Sequence, residues 1–217
     1  MRYKFDIKFI KKELATEFVR KYHYSPTMPY ITKYYLGCYI KNDLKGIVTL
    51  GYGTQPRHTF NKMFPYYGIL EKHNNEFILN LNDVYFEIGK LCISSNLNNT
   101  NAGSQLLSTL VKWIKQNTKA NFLYTLADGM NKKYGAIYQA SNFYYGGKYK
   151  TYAYLINDNQ RIHPKTFKSL YSETTNYKKI YGYMFRYLYP INRKARNILY
   201  NESSMKWSKI YPKEINL

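Results

Sequence analysis

Cysteine, acid and apolar length are what this chain lacks. It has two cysteines in 217 residues, Cys38 and Cys92. Both stand in apolar, strand-like runs, so they are expected as free buried thiols and not as a disulfide framework or a metal pair. The four histidines, His23, His58, His73 and His163, are scattered, and no HxxxH or HxH spacing points to a metal site. No apolar run approaches the roughly 20 residues that cross a bilayer, so no membrane partner is expected. The opening Met1-Arg-Tyr-Lys-Phe-Asp6 alternates polar and apolar residues and does not read as a secretion signal. A cytoplasmic protein is the expectation. There is no internal repeat and no low-complexity linker, and the length suits one well-buried domain.

The shortage of acid is the larger signal. Thirteen Asp and Glu stand against 33 Lys and Arg, a net charge of +20. That excess favours a polyanionic partner, and nucleic acid before an anionic membrane. A solvated basic surface is the plain alternative. Tyrosine is the excess that accompanies it, with 27 copies. Tyrosines stack on bases and bond phosphates, although most of them are expected in the core and in strands.

Hydrophobic spacing gives the elements. Residues 3–10 read as a strand. Leu14, Phe18 and Tyr22 lie at helical spacing over 11–22, and Pro26 and Pro29 stop that helix. Residues 34–40 and 46–52 read as a hairpin, and 53–82 as mostly loop. In 84–93 the apolar face switches after Gly89, which predicts a bulge there. The apolar stripe Leu106, Leu107, Leu110, Val111 and Ile114 predicts a helix over 102–117. A short buried strand follows at 122–127, a helix at 134–143, and two short strands at 145–156 turned at Gly146-Gly147 or at 148–150. The order β-α-β-β-(loop)-β-α-β-α-β-β does not alternate strictly. It implies an α/β (α+β) fold with a mixed sheet flanked by helices, antiparallel early and parallel around the 102–117 helix. Residues 1–165 are taken as the catalytic domain, and 166–217 as a basic, Tyr-rich extension packed on it or appended to it.

Some residues suggest chemistry. Asp128 ends a strand, where a site is often built. Its plainer reading is a cap or turn aspartate before Gly129. Tyr138 lies on the next helix, with Tyr134 one turn earlier and Asn142 after it; packing against the sheet is the alternative for the tyrosines. Ser104 and Asn101 stand at a helix start, a natural anion site or ordinary capping. Glu87 and Lys90 fall on opposite faces of a regular strand, but a bulge at Gly89 would bring them together as a structural ion pair or as working groups. Arg57 and His58 follow a strand on a loop. Lys178, Lys179, Arg186, Arg193, Lys194 and Arg196, interleaved with Tyr181, Tyr183, Tyr187 and Tyr189, suit binding to a nucleic-acid backbone.

The order of strands and the bulge resemble the N-acetyltransferase-like (GNAT) fold. More closely, the chain resembles the Mom family of bacteriophage DNA-modification proteins. The resemblance is carried by His23-Tyr24, the segment Gly46–Arg57, the strand Phe86-Glu87-Ile-Gly-Lys90-Leu-Cys-Ile93, the helix start Asn101…Ser104, and Ala127-Asp128 followed by Gly135-x-x-Tyr138-Gln139-Ala-Ser-Asn142. It spans roughly residues 20–165.

Membership would imply a transferase that adds a carbamoylmethyl (acetamido) group to adenine N6 in DNA and so hides the DNA from host restriction. Asp128 would then deprotonate or orient N6, Tyr138 would polarise or protonate the donor, and Lys90 and Ser104 would hold it. His23, Tyr24, Glu87, Asn101, Tyr134 and Asn142 would line the substrate and donor sites, and Arg57, His58 and the tail cations would grip DNA. The family's E-x-x-R pattern reads Glu87-x-x-Lys90 here, which keeps the charge and loses the bidentate fork. The GNAT phosphate loop Q/R-x-x-G-x-G/A is reduced to Asn98-Asn-Thr-Asn101-Ala-Gly103-Ser104. An acyl or glycyl donor such as acetyl-coenzyme A or glycyl-tRNA is therefore left open, with tRNA a second nucleic-acid partner in the latter case. Iron enters only through the resemblance. The rival readings are an N-acetyltransferase acting on a protein or small amine, and a non-catalytic nucleic-acid-binding protein on the same scaffold.

Overall fold

A computed structural model describes residues 2–53, 56–65, 70–73, 76–79, 84–156, 160–162, 164, 167 and 177–212. Strand β1 (Asp6–Phe9) and helix α1 (Lys12–Tyr22) lead into β2 (Thr32–Ile40) and β3 (Asp43–Gly51). β2 and β3 form the expected hairpin, turned at Lys41-Asn42 with φ of 49° and 69°. Two left-handed residues match the twist of a two-residue hairpin turn, and asparagine tolerates that region well.

The stretch 53–82, read as mostly loop, contains a helix, α2 (Pro56–Met63), and a separate hairpin of β4 (Leu70–His73) and β5 (Glu76–Leu79). The helix forms because Phe60, Met63 and Phe64 fall on one face and are buried there. Next come β6 (Tyr85–Ile93), α3 (Ala102–Asn117), β7 (Phe122–Asp128), α4 (Ala136–Ala140), β8 (Tyr144–Ile156), β9 (Gln160–Ile162), β10 (Lys179–Pro190) and α5 (Arg193–Asn201).

Eight strands make one sheet in the order β1-β2-β3-β6-β7-β10-β8-β9. Among the described strands only β6 and β7 run parallel, joined through α3. The mixed sheet expected from the sequence is therefore present. Helices α3 and α4 pack on one face, around Phe86, Ile88, Leu106, Leu110, Leu123 and Phe185. Helices α2 and α5 cover Tyr85, Phe122, Tyr124 and Leu188 on the other. Helix α1 closes that second face over Ile47 and Cys92.

Two further readings change. β8 is one strand of 13 residues, not two. Gly146 and Gly147 make a bulge in it: Phe185 faces Lys148 and Tyr187 faces Tyr145, so two residues on β8 oppose one on β10. The stretch set apart as an extension supplies β10, which is hydrogen-bonded to β7 on one side and β8 on the other. A division at residue 165 would remove an interior strand. The apolar residues Phe185, Tyr187 and Leu188 are the reason that strand is inside.

Gly135 (φ 86°) starts α4, and a methyl there would run into the Tyr187 ring; Gly147 (φ 79°) has open space beside it. Left-handed backbone alone costs an L-residue about 1–2 kcal/mol, and overpacking adds about 1–3 kcal/mol. Gly135→Ala should therefore lower the unfolding midpoint by several degrees more than Gly147→Ala in a thermal melt. Equal shifts would mean that the ring gives way without cost.

Candidate active site

β6 and β7 pair only at Tyr85↔Phe122, Phe86↔Leu123 and Glu87↔Tyr124. Both strands continue beyond that point, β6 to Ile93 and β7 to Asp128. They part there and leave a cleft between parallel strand ends. The bulge predicted at Gly89 is present on β6, where Thr49 faces Lys90 and Leu50 faces Ile88. The Thr49 hydroxyl oxygen accepts from the Lys90 backbone N–H at 2.8 Å. Pro29 packs over Gly89 and leaves no room for a side chain. The extra residue turns Lys90 to the same face as Glu87, while Phe86, Ile88, Leu91 and Ile93 all stay toward α3. This is the bulge-dependent arrangement of Glu87 and Lys90 that the sequence left open.

The segment between α1 and β2 covers the strand end. Lys90 is 9% exposed. Its ammonium donates to the Ser25 carbonyl at 2.8 Å and to the Ser25 hydroxyl at 3.1 Å. Nδ1 of His23 is held by the Ser25 backbone, 3.0 Å from its amide nitrogen, and the His23 ring stacks on Tyr24 at 4.4 Å. Burial, with Lys90 second, brings the His23 pKa down to about 4, so the ring is neutral at pH 7. Burial brings Lys90 down to about 8. The Tyr24 hydroxyl is pushed up to about 12 by burial and then by Asp128 and Tyr138. His23, Tyr24 and Lys90 thus gather at one side of the cleft.

Glu87 occupies the other part of this face. Its carboxyl packs against Gly53, where a methyl would collide with it. Its charge is felt by Tyr85, Tyr124 and Tyr149. Burial raises its pKa to about 7, so near neutral pH it holds or gives up a proton readily. Arg186 stacks on Tyr149 with its guanidinium 4.4 Å from the ring centre. It is therefore half-buried beside this wall and is not part of a loose basic tail.

Tyr138 lies across the sheet. Tyr124 belongs to the α2 side, so the next residue, Thr125, points to the α3 side. Tyr138 is hydrogen-bonded to the Thr125 side chain, and burial raises its pKa. The Tyr138 ring packs 5.4 Å from Phe143 and 5.5 Å from Tyr187. Tyr134 contributes its carbonyl, which accepts from Gln139 Nε2 at 3.0 Å and from the Tyr187 hydroxyl.

Asp128 stands at the rim with both oxygens engaged. One accepts from the Met130 N–H at 3.0 Å and the other from the Asn131 amide. The aspartate caps the short 3-10 turn Gly129–Asn131, which is the plainer of its two readings. Arg161 of β9 completes the rim by donating to the Met130 carbonyl at 2.5 Å and to the Asn131 side chain. Ser25, Tyr124, Tyr149 and Arg161 were not singled out in the sequence. Ser25 had a weak signal, two residues after His23; the others arrive from strands whose neighbours the sequence does not specify.

The remaining candidates make other contacts or fall outside the described side chains. The Ser104 hydroxyl donates to the Asn101 carbonyl at 3.0 Å, and Ser104 shares a groove between α3 and α4 with Asn142 and Tyr189. Asn101 makes no side-chain cap; the Thr100 hydroxyl oxygen accepts from Ala102 N–H instead, at 3.1 Å. Asn142 (φ 61°) ends α4, and its carbonyl accepts from Lys209. Arg57 and His58 are on α2, and their side chains lie outside the described residues. Lys178 and Lys179 are exposed at the start of β10, and Arg193, Lys194 and Arg196 on α5. Tyr187 is fully buried and serves the core. Among the described residues no three His, Cys, Asp or Glu side chains gather to hold a metal. The α3 start does not fit the glycine-rich cradle for coenzyme A: Gly103 is closed off by Ile137, and no Arg or Gln opens the loop.

A family model described as the Mom protein family matches residues 4–213. Comparison with curated proteins finds no match. Among solved structures, AAC(6')-Ib in complex with paromomycin and acetyl-coenzyme A is similar at TM-score 0.53 and 8% identity, covering 92% of this chain and 99% of that one. The aminoglycoside acetyltransferase AAC(6')-Ib with coenzyme A and kanamycin is similar at TM-score 0.52 and 8% identity, covering 89% and 98%. At such identities the likeness is one of fold, and the fold is that of the GNAT acetyltransferases.

The Lys90 shift has a measurable sign. Its folded pKa, about 8, lies below the usual lysine value, so between the two the unfolded chain binds the extra proton. Stability should then rise with pH across that window. In urea unfolding at pH 7.5, 9 and 10.5, the native chain should gain on Lys90→Met as pH rises. A constant gap would show that Lys90 titrates normally.

Proposed function

The chain belongs to the Mom protein family, and from that premise we propose that it is a DNA-modification transferase that builds a carbamoylmethyl group on adenine N6. One observation carries the chemistry. Glu87, with a pKa near 7, lies on one face of the sheet and Tyr138, buried on Thr125, on the other, beside the point where the pairing of β6 and β7 stops. A group held in the gap between the strands can thus be served from both faces.

Adenine N6 is a poor nucleophile because its lone pair is delocalised into the ring. Attack needs its proton removed as the new bond forms. The target base must leave the stack to expose N6 to a protein group. Glu87 is the better base than Asp128, whose oxygens are both occupied by the turn it caps. As the N6–carbon bond forms, the bond from that carbon to its leaving group breaks. The N6 proton passes to Glu87, and Tyr138 gives its proton to the leaving group. Lys90, cationic below about pH 8, has one ammonium hydrogen beyond the two that Ser25 takes, and that hydrogen can steady negative charge developing on the donor oxygen. The donor is an activated glycyl compound, whose two carbons, carbonyl oxygen and nitrogen are the atoms of the added group. A glycyl amide formed first would rearrange to the carbamoylmethyl product. Modified adenines would then be hidden from restriction enzymes.

Mass spectrometry of nucleosides from cells making the protein tests this reading. A modified deoxyadenosine should appear with the native chain, and Glu87→Gln should lower its yield by about 100-fold or more. Unmodified DNA beside abundant folded protein, together with an acetylated protein or small amine, would sink it in favour of an ordinary acetyltransferase. In a purified reaction the rate should climb to about pH 7 as Glu87 ionises and fall beyond about pH 8 as Lys90 loses its charge.

A further inference from the structure

The outer part of the β8–β10 pair carries a ladder of lysines and tyrosines that the cleft does not use. The register sets Phe185, Tyr183 and Tyr181 of β10 directly opposite Lys148, Lys150 and Tyr152 of β8. Direct partners share a face, and this is the α3–α4 face, beyond the point where those helices end. The Lys148 ammonium lies 4.2 Å from the Tyr183 ring centre, and that of Lys150 5.1 Å from Tyr181. Lys179 lies 5.8 Å from Tyr152, and the Tyr152 and Tyr181 rings are 6.1 Å apart. Tyr181 is 63% exposed, and Lys148, Lys150 and Lys179 are exposed. None of these lysines forms an ion pair among the described residues.

We propose that this ladder binds single-stranded DNA flanking the target adenine. The inference rests on the reading that DNA is the acceptor. Alternating cations and open ring faces fit a strand that presents phosphates and unstacked bases in turn; a duplex hides its base faces. From Phe185 to Lys179 the surface is about 20 Å long at a strand's rise of about 3.3 Å per residue, room for a few nucleotides. It begins beside the cleft. Phe185 and the Tyr183 carbonyl pack against Gly129, the residue after Asp128, so a base extruded toward the strand ends would leave its neighbours over Tyr183 and Tyr181.

Fluorescence anisotropy with a labelled 12-nucleotide DNA strand, its duplex and the matching RNA strand tests the proposal on the full chain. The single DNA strand should bind more tightly than the duplex. Tyr181→Ala should weaken strand binding about tenfold or more. The triple change Lys148→Gln, Lys150→Gln, Lys179→Gln should reduce the slope of log affinity against log salt by about 2. These side chains are exposed, and an unchanged melting temperature will show that the variants fold. Variants that bind the strand like the native chain would overturn the ladder, whatever the nucleoside assay gives. Preference for the duplex or for RNA, lost equally in the variants, would overturn it in favour of that ligand. Absence of modified adenine with ladder-dependent strand binding intact would count against the transfer chemistry alone.

Discussion

The separation of β6 from β7 is the constraint on which the site depends. Two parallel strands that stayed paired to their ends would fill the sheet and leave no way between its faces. Here pairing stops at Glu87 and Tyr124, and the bulge at Gly89 holds the strands apart. That bulge is fixed from two directions, by the Thr49 hydroxyl on the Lys90 N–H and by Pro29 over the missing side chain. It also sets which way Lys90 points. Without it, Lys90 would be driven into the apolar layer under α3, and an ammonium there would lack the oxygens of Ser25. The backbone irregularity and the orientation of Lys90 are one feature.

The same logic separates the two carboxylates of the cleft. Asp128 and Glu87 both sit near strand ends, and the sequence favours Asp128 because it ends its strand. The structure surrounds Asp128 with donors, from Met130 and Asn131, and ties both of its oxygens into the turn it caps. Glu87 is surrounded by tyrosine rings and by the Gly53 backbone, and burial lifts its pKa to about 7. The carboxyl whose pKa burial lifts to near neutral is the one suited to exchange a proton. Asp128 serves the site indirectly: it orders the turn that leads to Tyr134 and, through α4, to Tyr138.

Much of this was legible in the sequence where signals are local. The phase switch at Gly89, the stripe of α3 and the β2–β3 hairpin are short-range patterns, and each appears where it was expected. The failures concern non-local pairing. Helix α2 was hidden because its apolar face, Phe60, Met63 and Phe64, is short and flanked by polar residues. The place of β10 between β7 and β8 cannot be read from a stretch that looks merely basic and tyrosine-rich. Without that placement, Arg186 reads as a tail cation and Tyr187 as a surface ring. In the sheet, the alternation of β10 sends Arg186 toward Tyr149 and Tyr187 into the core.

β10 also explains how so basic a chain spends its tyrosines. At its inner half, Phe185, Tyr187 and Leu188 are buried and hold β7 to β8. Toward its outer half the same alternation continues, but α4 has ended, so Tyr183 and Tyr181 emerge beside Lys148 and Lys150. A tyrosine suits both settings, since its ring packs in a core and its face remains usable at a surface. An aliphatic strand of equal length would have exposed an apolar edge, and a charged one could not have entered the sheet. One continuous strand thereby ties the core to a surface of lysines and tyrosines next to the strand ends.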